Sequence, residues 1–245
     1  PDVGMDATAF VPGYHTAWFN RYQQIDYYKE LGIPMCTVPA YFDGERFGIS
    51  VWNVSRGRQP IFLCAHQEVF DSLYTEDRRK RLRQEVVFAQ VIPQALKHIG
   101  FRANRFWLNE SHTAFLWPQV AEDSYFPAPK LLFTNHTPEK SGMERFYDFR
   151  FESLGVDEKY KNAFIDGGVI DLTHAALSFA HQVNGVSREH GQILREMFPE
   201  FAKKITHDTN GTDIQFWRNP HLAHHAKCGG RCDREQCRER HGYSP

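Results

Sequence analysis

The chain has 245 residues, of which 41% are hydrophobic and 14% aromatic, so it is long enough to bury a full core. Its 29 lysines and arginines nearly balance its 30 aspartates and glutamates, which gives a formal net charge of -1. This balance argues against nucleic acid or an anionic membrane surface as a partner. It favours a neutral ligand, or a small anion that is held locally.

The termini and the cysteines predict a cytoplasmic protein. The opening PDVGMDATAF lacks a basic region followed by an apolar stretch, and no run approaches the roughly 18 apolar residues of a membrane helix. Cys36 and Cys64 lie in apolar, strand-like surroundings, where a free cysteine behaves as a small buried hydrophobe. The chain starts without a methionine, which leaves open that it is part of a longer polypeptide.

In chain order, the pattern predicts an irregular segment followed by alternating strands and helices. Strands that alternate with helices in this way predict an α/β fold with a doubly wound, Rossmann-like and largely parallel sheet. Pro93 should kink the longest helix or split it in two, because proline lacks a backbone N–H. The predicted elements are an irregular segment over 1–27 that runs into a helix over Gln23–Leu31, strands over Met35–Tyr41 and Phe47–Val51 joined by a turn at Asp43-Gly44, a strand over Ile61–Ala65, a helix over Thr75–Ile99, strands over Arg105–Leu108 and Lys130–Phe133, a helix over Ile170–His181, a strand over Val183–Val186, a helix from Ser187 to about Phe198, and a polar turn at Asp208-Thr209-Asn210-Gly211.

Two polar segments, Asn109-Glu110-Ser111-His112 and Thr134-Asn135-His136-Thr137, directly follow the two central strands. Polar residues just past the carboxyl end of a strand lie where open α/β sheets bind ligands. Two neighbouring strands would bring a carboxylate, two imidazoles and two amides into one crevice, which suits a polyhydroxylated ligand or a metal. Alternatively, Ser111 and Thr137 are N-caps of following helices and the asparagines are turn residues. The repetition of the pattern favours a site.

The last residues carry few core-forming side chains and a series of potential metal ligands, Cys228-x3-Cys232-x4-Cys237-x3-His241. Three thiolates and one imidazole would suit a tetrahedral zinc site. The spacing departs from the usual Cys-x2-Cys pairs, and a disordered terminus that carries cysteines fits the sequence equally well.

Short motifs in a fixed order make the chain resemble the glycogen and α-glucan phosphorylase family, over roughly Tyr28 to Ala223. Each motif is weak alone, but their order makes the resemblance specific, and it covers the second part of the N-terminal domain of that family. The motifs are Leu31-Gly32-Ile33-Pro34, Arg81-Leu82-Arg83-Gln84-Glu85, Leu108-Asn109-Glu110-Ser111-His112, Thr134-Asn135-His136-Thr137-Pro138, Val183-Asn184-Gly185-Val186-Ser187 with His190, Thr209-Asn210-Gly211 and Asn219-Pro220-His221-Leu222-Ala223.

The resemblance implies one half of a two-domain, GT-B-like glycosyltransferase. Members of the phosphorylase family split α-1,4-glucans with inorganic phosphate and release glucose 1-phosphate. Pyridoxal phosphate is held by a lysine of their second domain. By resemblance, His136 is the catalytic residue that hydrogen-bonds the sugar, and Asn210 binds the 6-hydroxyl of that sugar. Glu110 and His112 match residues that line the pocket, and we expect Asn135 to bind substrate beside them.

Three segments are expected on this basis: a divergent N-terminal segment over 1–27, a phosphorylase-like catalytic portion over 28–223, and a Cys/His-rich tail over 224–245. The glycine-rich loop of the family, which contacts phosphate, is not reproduced by Pro12-Gly13-Tyr14-His15. The second domain and its cofactor lysine are expected to lie outside this chain. The isolated chain is therefore expected to be inactive.

Two alternatives to the phosphorylase function remain open from the sequence. The first is a glucan-binding or regulatory module that keeps the fold and has lost the chemistry. The second is a metal-dependent enzyme that uses Glu110, His112 and His136, although no helical His-x3-His spacing supports it. Gln84 and Glu85 match a helix motif of the family and are interpreted as scaffold.

Overall fold

In the computed structural model, the structure describes residues 7–14, 31–55, 59–73, 75–137, 139 and 143–211. The chain divides into two compact units, Pro1–Asp208 and Thr209–Pro245. All the described strands and helices belong to the first unit. The predicted helix over Gln23–Leu31 falls almost entirely outside the described residues. The predicted zinc ligands Cys228, Cys232, Cys237 and His241 fall outside them as well. None of the described helices is long and apolar enough to cross a membrane.

The described elements alternate along the chain as the sequence predicts. The strands are β1 (Ala9–Pro12), β2 (Cys36–Phe42), β3 (Glu45–Asn53), β4 (Ile61–Ala65), β5 (Arg105–Asn109), β6 (Lys130–Asn135), β7 (Arg145–Phe146), β8 (Ile165–Asp166), β9 (Val169–Asp171), β10 (Gln182–Gly185) and β11 (Ile205–His207). The α-helices are α1 (Arg78–His98), α2 (Leu116–Val120), α3 (Lys161–Phe164), α4 (Leu172–Phe179) and α5 (Arg188–Met197), and short 3-10 helices lie at Ser111–Thr113, Phe151–Leu154, Glu158–Tyr160 and Pro199–Lys204.

A mixed four-stranded sheet has the order β1-β4-β3-β2. Strands β2 and β3 form the predicted hairpin, and its turn residues Asp43 and Gly44 both have positive φ, 50° and 79°. Such φ values give a two-residue turn the twist that an antiparallel pair needs. Strand β4 runs antiparallel to β3 and parallel to β1. This sheet is therefore mixed rather than parallel, as its predicted hairpin requires.

Strand β1 corrects the prediction of an irregular segment over 1–27. Ala9 pairs with Ile61 and Pro12 with Cys64 in a parallel ladder, and the N–H of Gly13 continues it to the carbonyl of Cys64 at 2.8 Å. Pro12 is tolerated because β1 is at the edge of the sheet, where the missing N–H breaks no ladder bond. A four-residue segment that ends in proline carries too little pattern to be recognised as a strand.

The second four-stranded sheet has the order β11-β10-β6-β5, and all of its neighbouring strands are parallel. Leu108, Leu131, Phe133 and Val183 on its strands are buried in the core. Helices α2, α4 and α5 form part of the crossover connections that its parallel strands require. This sheet confirms the predicted α/β class with a parallel sheet.

Helix α1 begins at Arg78, three residues after the predicted start at Thr75, and it is not split at Pro93. The carboxylate of Asp77 caps it by accepting hydrogen bonds from the backbone N–H groups of Arg79 and Lys80. The helix runs without a break from Arg78 to His98, and Pro93 is buried in it. The side-chain amide of Gln94 donates to the carbonyl of Gln90 at 2.8 Å and to that of Pro39 in β2. Packing against β2 and this side-chain bond hold the helix together.

A three-stranded antiparallel sheet, β7-β9-β8, was not predicted. The predicted helix over Ile170–His181 is therefore too long at its start. Val169–Asp171 forms β9, and Asp171 then caps α4 by accepting from the N–H of His174 at 2.8 Å. The apolar spacing of α4 continues into the residues just before it, so periodicity alone does not find this boundary.

A buried charge cluster joins the start of α1 to the region of β7. Arg81 and Glu85 are 6% and 3% exposed, and Arg81 Nε lies 2.9 Å from Glu85 Oε1 and 3.1 Å from Glu144 Oε1. Only the contact to Glu144 is an aligned hydrogen bond, and the carboxyl oxygens of Glu85 accept none from the described residues. Burial raises the pKa of Glu85 well above its usual range, against the opposing charge of Arg81. The cluster supports the interpretation of Glu85 as scaffold.

Arg81→Leu should lower the free energy of unfolding by about 3 kcal/mol or more at pH 7, because it leaves Glu85 buried without its counter-charge. Adding Glu85→Leu to this variant should recover at least about 1 kcal/mol, since the uncompensated carboxyl is then gone. Urea unfolding of the two single variants and the double variant measures the coupling. Two losses that simply add would contradict the prediction.

Candidate functional site

The candidate site lies at the carboxyl ends of β5, β6 and β10. The parallel register places Asn109 beside Thr134 and Asn135 beside Gly185. Polar side chains at these strand ends therefore meet at one edge of the sheet, as the sequence predicts. Glu110, His136 and Thr137 follow directly in the loops that leave β5 and β6.

Glu110 has an unusual backbone, with φ 72° and ψ 163°. A residue with a side chain rarely adopts this conformation, which costs about 1–3 kcal/mol when the surroundings enforce it. Here the N–H of Glu110 donates to the carbonyl of Thr134 at 2.9 Å, and its carbonyl accepts from Thr113 Oγ1 at 2.9 Å. Both bonds hold the peptide groups of Glu110 in place and turn its carboxylate towards the loop after β6.

Hydrogen bonds join Glu110, His136 and Asn109 into one group. Glu110 Oε1 accepts from the backbone N–H of His136 and from Thr137 Oγ1, the latter at 3.4 Å. His136 Nε2 lies 3.0 Å from Asn109 Oδ1, so Nε2 carries the proton and donates to the amide oxygen. The other ring nitrogen of the neutral imidazole is then an acceptor. His136 and Asn109 are both exposed at this edge of the sheet.

Asn135 points away from this exposed group and into the core, where it is 1% exposed. Its Oδ1 accepts from the N–H of Thr137 at 3.1 Å and lies 3.1 Å from His190 Nε2. A direct contact with substrate, as predicted for Asn135, would therefore need a change of its surroundings. His190 was part of a sequence motif but was not predicted as a site residue. Ser187, which caps α5 three residues earlier, is the signal that places it there.

The sequence suggested that His112 joins Glu110 and His136, but it lies near Arg81 and Glu144 instead. Its pKa is lowered to about 4, mainly by burial and also by the nearby charge of Arg81, while the charge of Glu144 opposes the shift. Within the described residues, no hydrogen bond connects His112 with Glu110 or His136. The predicted crevice therefore gathers one carboxylate and one exposed imidazole, while the second imidazole lies towards the charge cluster of α1.

Two further predictions concern a metal site and a sugar contact of Asn210. Over the described ranges, no group of three or more His, Cys, Asp or Glu side chains could hold a metal ion, so Glu110, His112 and His136 do not form one. Asn210 is exposed and belongs to the second unit, of which only Thr209–Gly211 is described. Its predicted contact with a sugar stays a prediction.

The sequence matches a family model described as the starch synthase catalytic domain, over residues 2–208. The chain belongs to this family. The match includes the segment over 1–27 that looked divergent, which agrees with the presence of β1 there. The catalytic domain of starch synthase IV from Arabidopsis thaliana, bound to ADP and acarbose, has a similar fold, with a TM-score of 0.67 and 19% identity over 87% of this chain and 47% of that chain. This similarity confirms the predicted GT-B-like fold.

Curated relatives confirm the resemblance to the phosphorylases. Glycogen phosphorylase of Aquifex aeolicus is 24% identical, over 72% of this chain and 31% of that protein. A glycogen synthase of Photobacterium profundum is 22% identical, over 78% of this chain and 42% of that protein. The chain thus spans less than half the length of these relatives, and both phosphorylases and synthases are among them.

Glu110→Gly should unfold at a higher free energy than Glu110→Ala, by about 1 kcal/mol, because glycine adopts positive φ without strain. Both variants lose the carboxylate, so their difference isolates the backbone of this one position. The same pair at Ser111, where φ is not positive, should show the opposite order. Urea unfolding decides the order, and a Glu110→Ala variant as stable as Glu110→Gly would contradict the strain.

Stability should fall as the pH falls from 6.5 towards 4, and His112 should account for part of the loss. The folded state binds this proton less tightly than the unfolded chain, so between these pH values the unfolded state holds more protons. At pH 5 the loss from His112 alone should be about 1–2 kcal/mol. His112→Leu should show a smaller difference between urea unfolding at pH 7.5 and pH 5.0. The exposed His98→Leu is the control, and an unchanged difference in His112→Leu would contradict the prediction.

Proposed function

We propose that this chain is the sugar-binding half of a glucan-metabolising glycosyltransferase of the α-glucan phosphorylase type. The complete enzyme would split α-1,4-glucan with inorganic phosphate and release glucose 1-phosphate. The observation that carries the proposal is the hydrogen-bonded group Asn109, Glu110 and His136 at the aligned strand ends. The similarity to glycogen phosphorylase of Aquifex aeolicus supports it.

In this proposal His136 accepts a hydrogen bond from a hydroxyl of the bound sugar. Its Nε2–H is engaged by Asn109, so the ring is oriented and the other nitrogen accepts from the hydroxyl. Glu110 places the backbone of His136, because its carboxylate accepts from that N–H group. Fixed donors and acceptors of this kind lower the cost of holding the sugar in a reactive geometry. The chain thus binds and orients the glucan. Another part of the enzyme binds the inorganic phosphate that accepts the glucosyl unit.

The cofactor of the phosphorylases does not fit the lysines that the structure describes. A Schiff-base lysine has to lie at the site with an unengaged amine. Lys204 has a pKa lowered by burial, but its Nζ donates to the carbonyls of Ser178 and Ala180, which precede β10 at the opposite end of the sheet from the site. Lys80, Lys97, Lys159 and Lys161 are in ion pairs. Lys130 begins β6 and Lys203 precedes β11, so both lie at the end of the sheet opposite the site. We therefore propose that pyridoxal phosphate is held by a separate domain.

A second candidate function is glucosyl transfer from a nucleotide sugar, as in a synthase. The match to the starch synthase catalytic domain over 2–208 favours it. The described arginines and lysines at the start of α1 do not supply a nucleotide phosphate site, because each is paired with an acidic side chain: Arg78 with Glu144, Arg79 with Asp43, Lys80 with Asp71 and Arg81 with Glu85. Both candidates need the same sugar-binding half. A glucan-binding module without chemistry is the third possible outcome.

The chain should bind maltoheptaose, and His136→Ala should weaken binding by about threefold to tenfold, the loss of one hydrogen bond to a neutral hydroxyl. Calorimetric titration measures the affinity, and thermal unfolding checks that the variant is folded. His98→Ala, an exposed histidine at the end of α1, is the matched control and should bind like the wild type. Asn210→Ala tests the second predicted sugar contact in the same titration.

The same protein should release no glucose 1-phosphate from maltoheptaose and phosphate when pyridoxal phosphate is added. Release that depends on the added cofactor would show that the chain holds it, against the proposal. Glucosyl transfer from ADP-glucose would favour the synthase function. Undetectable binding of maltoheptaose to the folded wild type would remove the proposed sugar-binding role altogether.

A further inference from the structure

His190 is a buried histidine in the first turn of α5, beside the candidate site. It is 5% exposed, and its backbone N–H donates to Ser187 Oγ at 3.1 Å in the cap of the helix. Helix α5 approaches β10 closely at this point, since a Cβ on Gly185 would lie 2.8 Å from the backbone nitrogen of Gly191. This close approach, which only glycine permits at 185, brings the ring of His190 against the end of β6.

The hydrogen bonds of His190 define which ring nitrogen carries the proton. The backbone N–H of Val186 donates to Nδ1 at 3.4 Å, so Nδ1 is an acceptor. Nε2 then carries the proton and donates to Asn135 Oδ1 at 3.1 Å. Burial lowers the pKa of His190, which keeps the ring in this neutral form.

Asn135 connects His190 to the backbone after β6. Its Oδ1 also accepts from the N–H of Thr137 at 3.1 Å, so one oxygen holds a donor from α5 and a donor from the loop. Asn135 Nδ2 is buried without a hydrogen-bond partner among the described residues. A flipped amide would set Nδ2 against both donors, so only the observed orientation lets the two bonds form. His136 lies between the two anchored residues.

We propose that His190 is a positioning residue for His136. Through Asn135 it fixes the backbone on both sides of His136, and so the direction in which the His136 ring meets Asn109 and a bound sugar. His190 itself is buried and touches no substrate. The sugar-binding part of this inference rests on the proposed function, whereas the positioning of the loop does not.

Amide hydrogen exchange and maltoheptaose titration of His190 variants test the inference. His190→Ala should speed exchange of the Thr137 amide at least about threefold to tenfold and weaken maltoheptaose binding to a similar extent, because the support of one hydrogen bond is lost. His190→Gln, whose side-chain amide can still donate to Asn135, should restore both values to near those of the wild type. Restoration by a donor of similar reach separates positioning from mere filling of space.

His181→Ala is the matched control, because His181 bonds to the opposite end of β6. The Nδ1 of His181 accepts from the N–H of Leu131 at 3.2 Å, so this histidine also bonds to β6, but far from the site. The variant should unfold at a lower temperature while Thr137 exchange and maltoheptaose affinity stay unchanged.

Unchanged Thr137 exchange in folded His190→Ala would overturn the inference. If His190→Ala does not fold, the ring nitrogens of His190 in the wild type decide by NMR: a proton on Nε2 supports the inference, and a proton on Nδ1 overturns it. Failure of the wild type to bind maltoheptaose would count against the proposed function alone, because the exchange of Thr137 is measured without sugar.

Discussion

The parallel register of β5, β6 and β10 is the constraint on which the candidate site depends. It sets Asn109 beside Thr134 and Asn135 beside Gly185, so that the loops after the strands leave the sheet at one edge. Successive residues of a strand point to opposite faces, and a slip by one residue would exchange them. In the observed register Asn135 faces the core and the end of α5, and His136 follows it into the exposed loop.

Neighbouring residues therefore divide the work of the site. Asn135 is buried and bound to the scaffold, while His136 is exposed and bound to Asn109. Glu110 links the two strand ends, because its N–H bonds to Thr134 and its carboxylate to the loop after β6. The strained φ of Glu110 is the cost of this link, and the hydrogen bonds on both sides of the residue offset it.

Local patterns were enough to predict the elements that have strong local signals. The Asp43-Gly44 hairpin, the start of α1 and the cap of α5 at Ser187 are of this kind. Strand β1 and strand β9 were missed because they are four and three residues long and exist only through pairing with distant partners. Such short strands carry no period that a sequence can reveal.

The site shows the same division between local and distant causes. Glu110 and His136 were found because their position after a strand is visible in the sequence. The direction of His112 was not, since it depends on Arg81 and Glu144, which are far away in the chain. His190 did have a local signal, because it occupies the third helical position after Ser187, where the side chain of a capping box folds back on the start of its helix. Its ring accepts from the N–H of Val186, one residue before the cap, rather than from that of Ser187 as in a capping box.

The similarity to both phosphorylases and synthases has a physical reason if the proposed function holds. Both reactions move a glucosyl unit of an α-glucan, and both need neutral hydroxyls to be oriented by fixed donors and acceptors. They differ in the anion that is bound, inorganic phosphate in one and a nucleotide in the other. The described part of this chain supplies an oriented imidazole and a carboxylate that holds its backbone, while the basic side chains at the start of α1 are paired within the fold. What this half fixes is therefore common to both reactions, and the choice between them belongs to the groups that bind the anion.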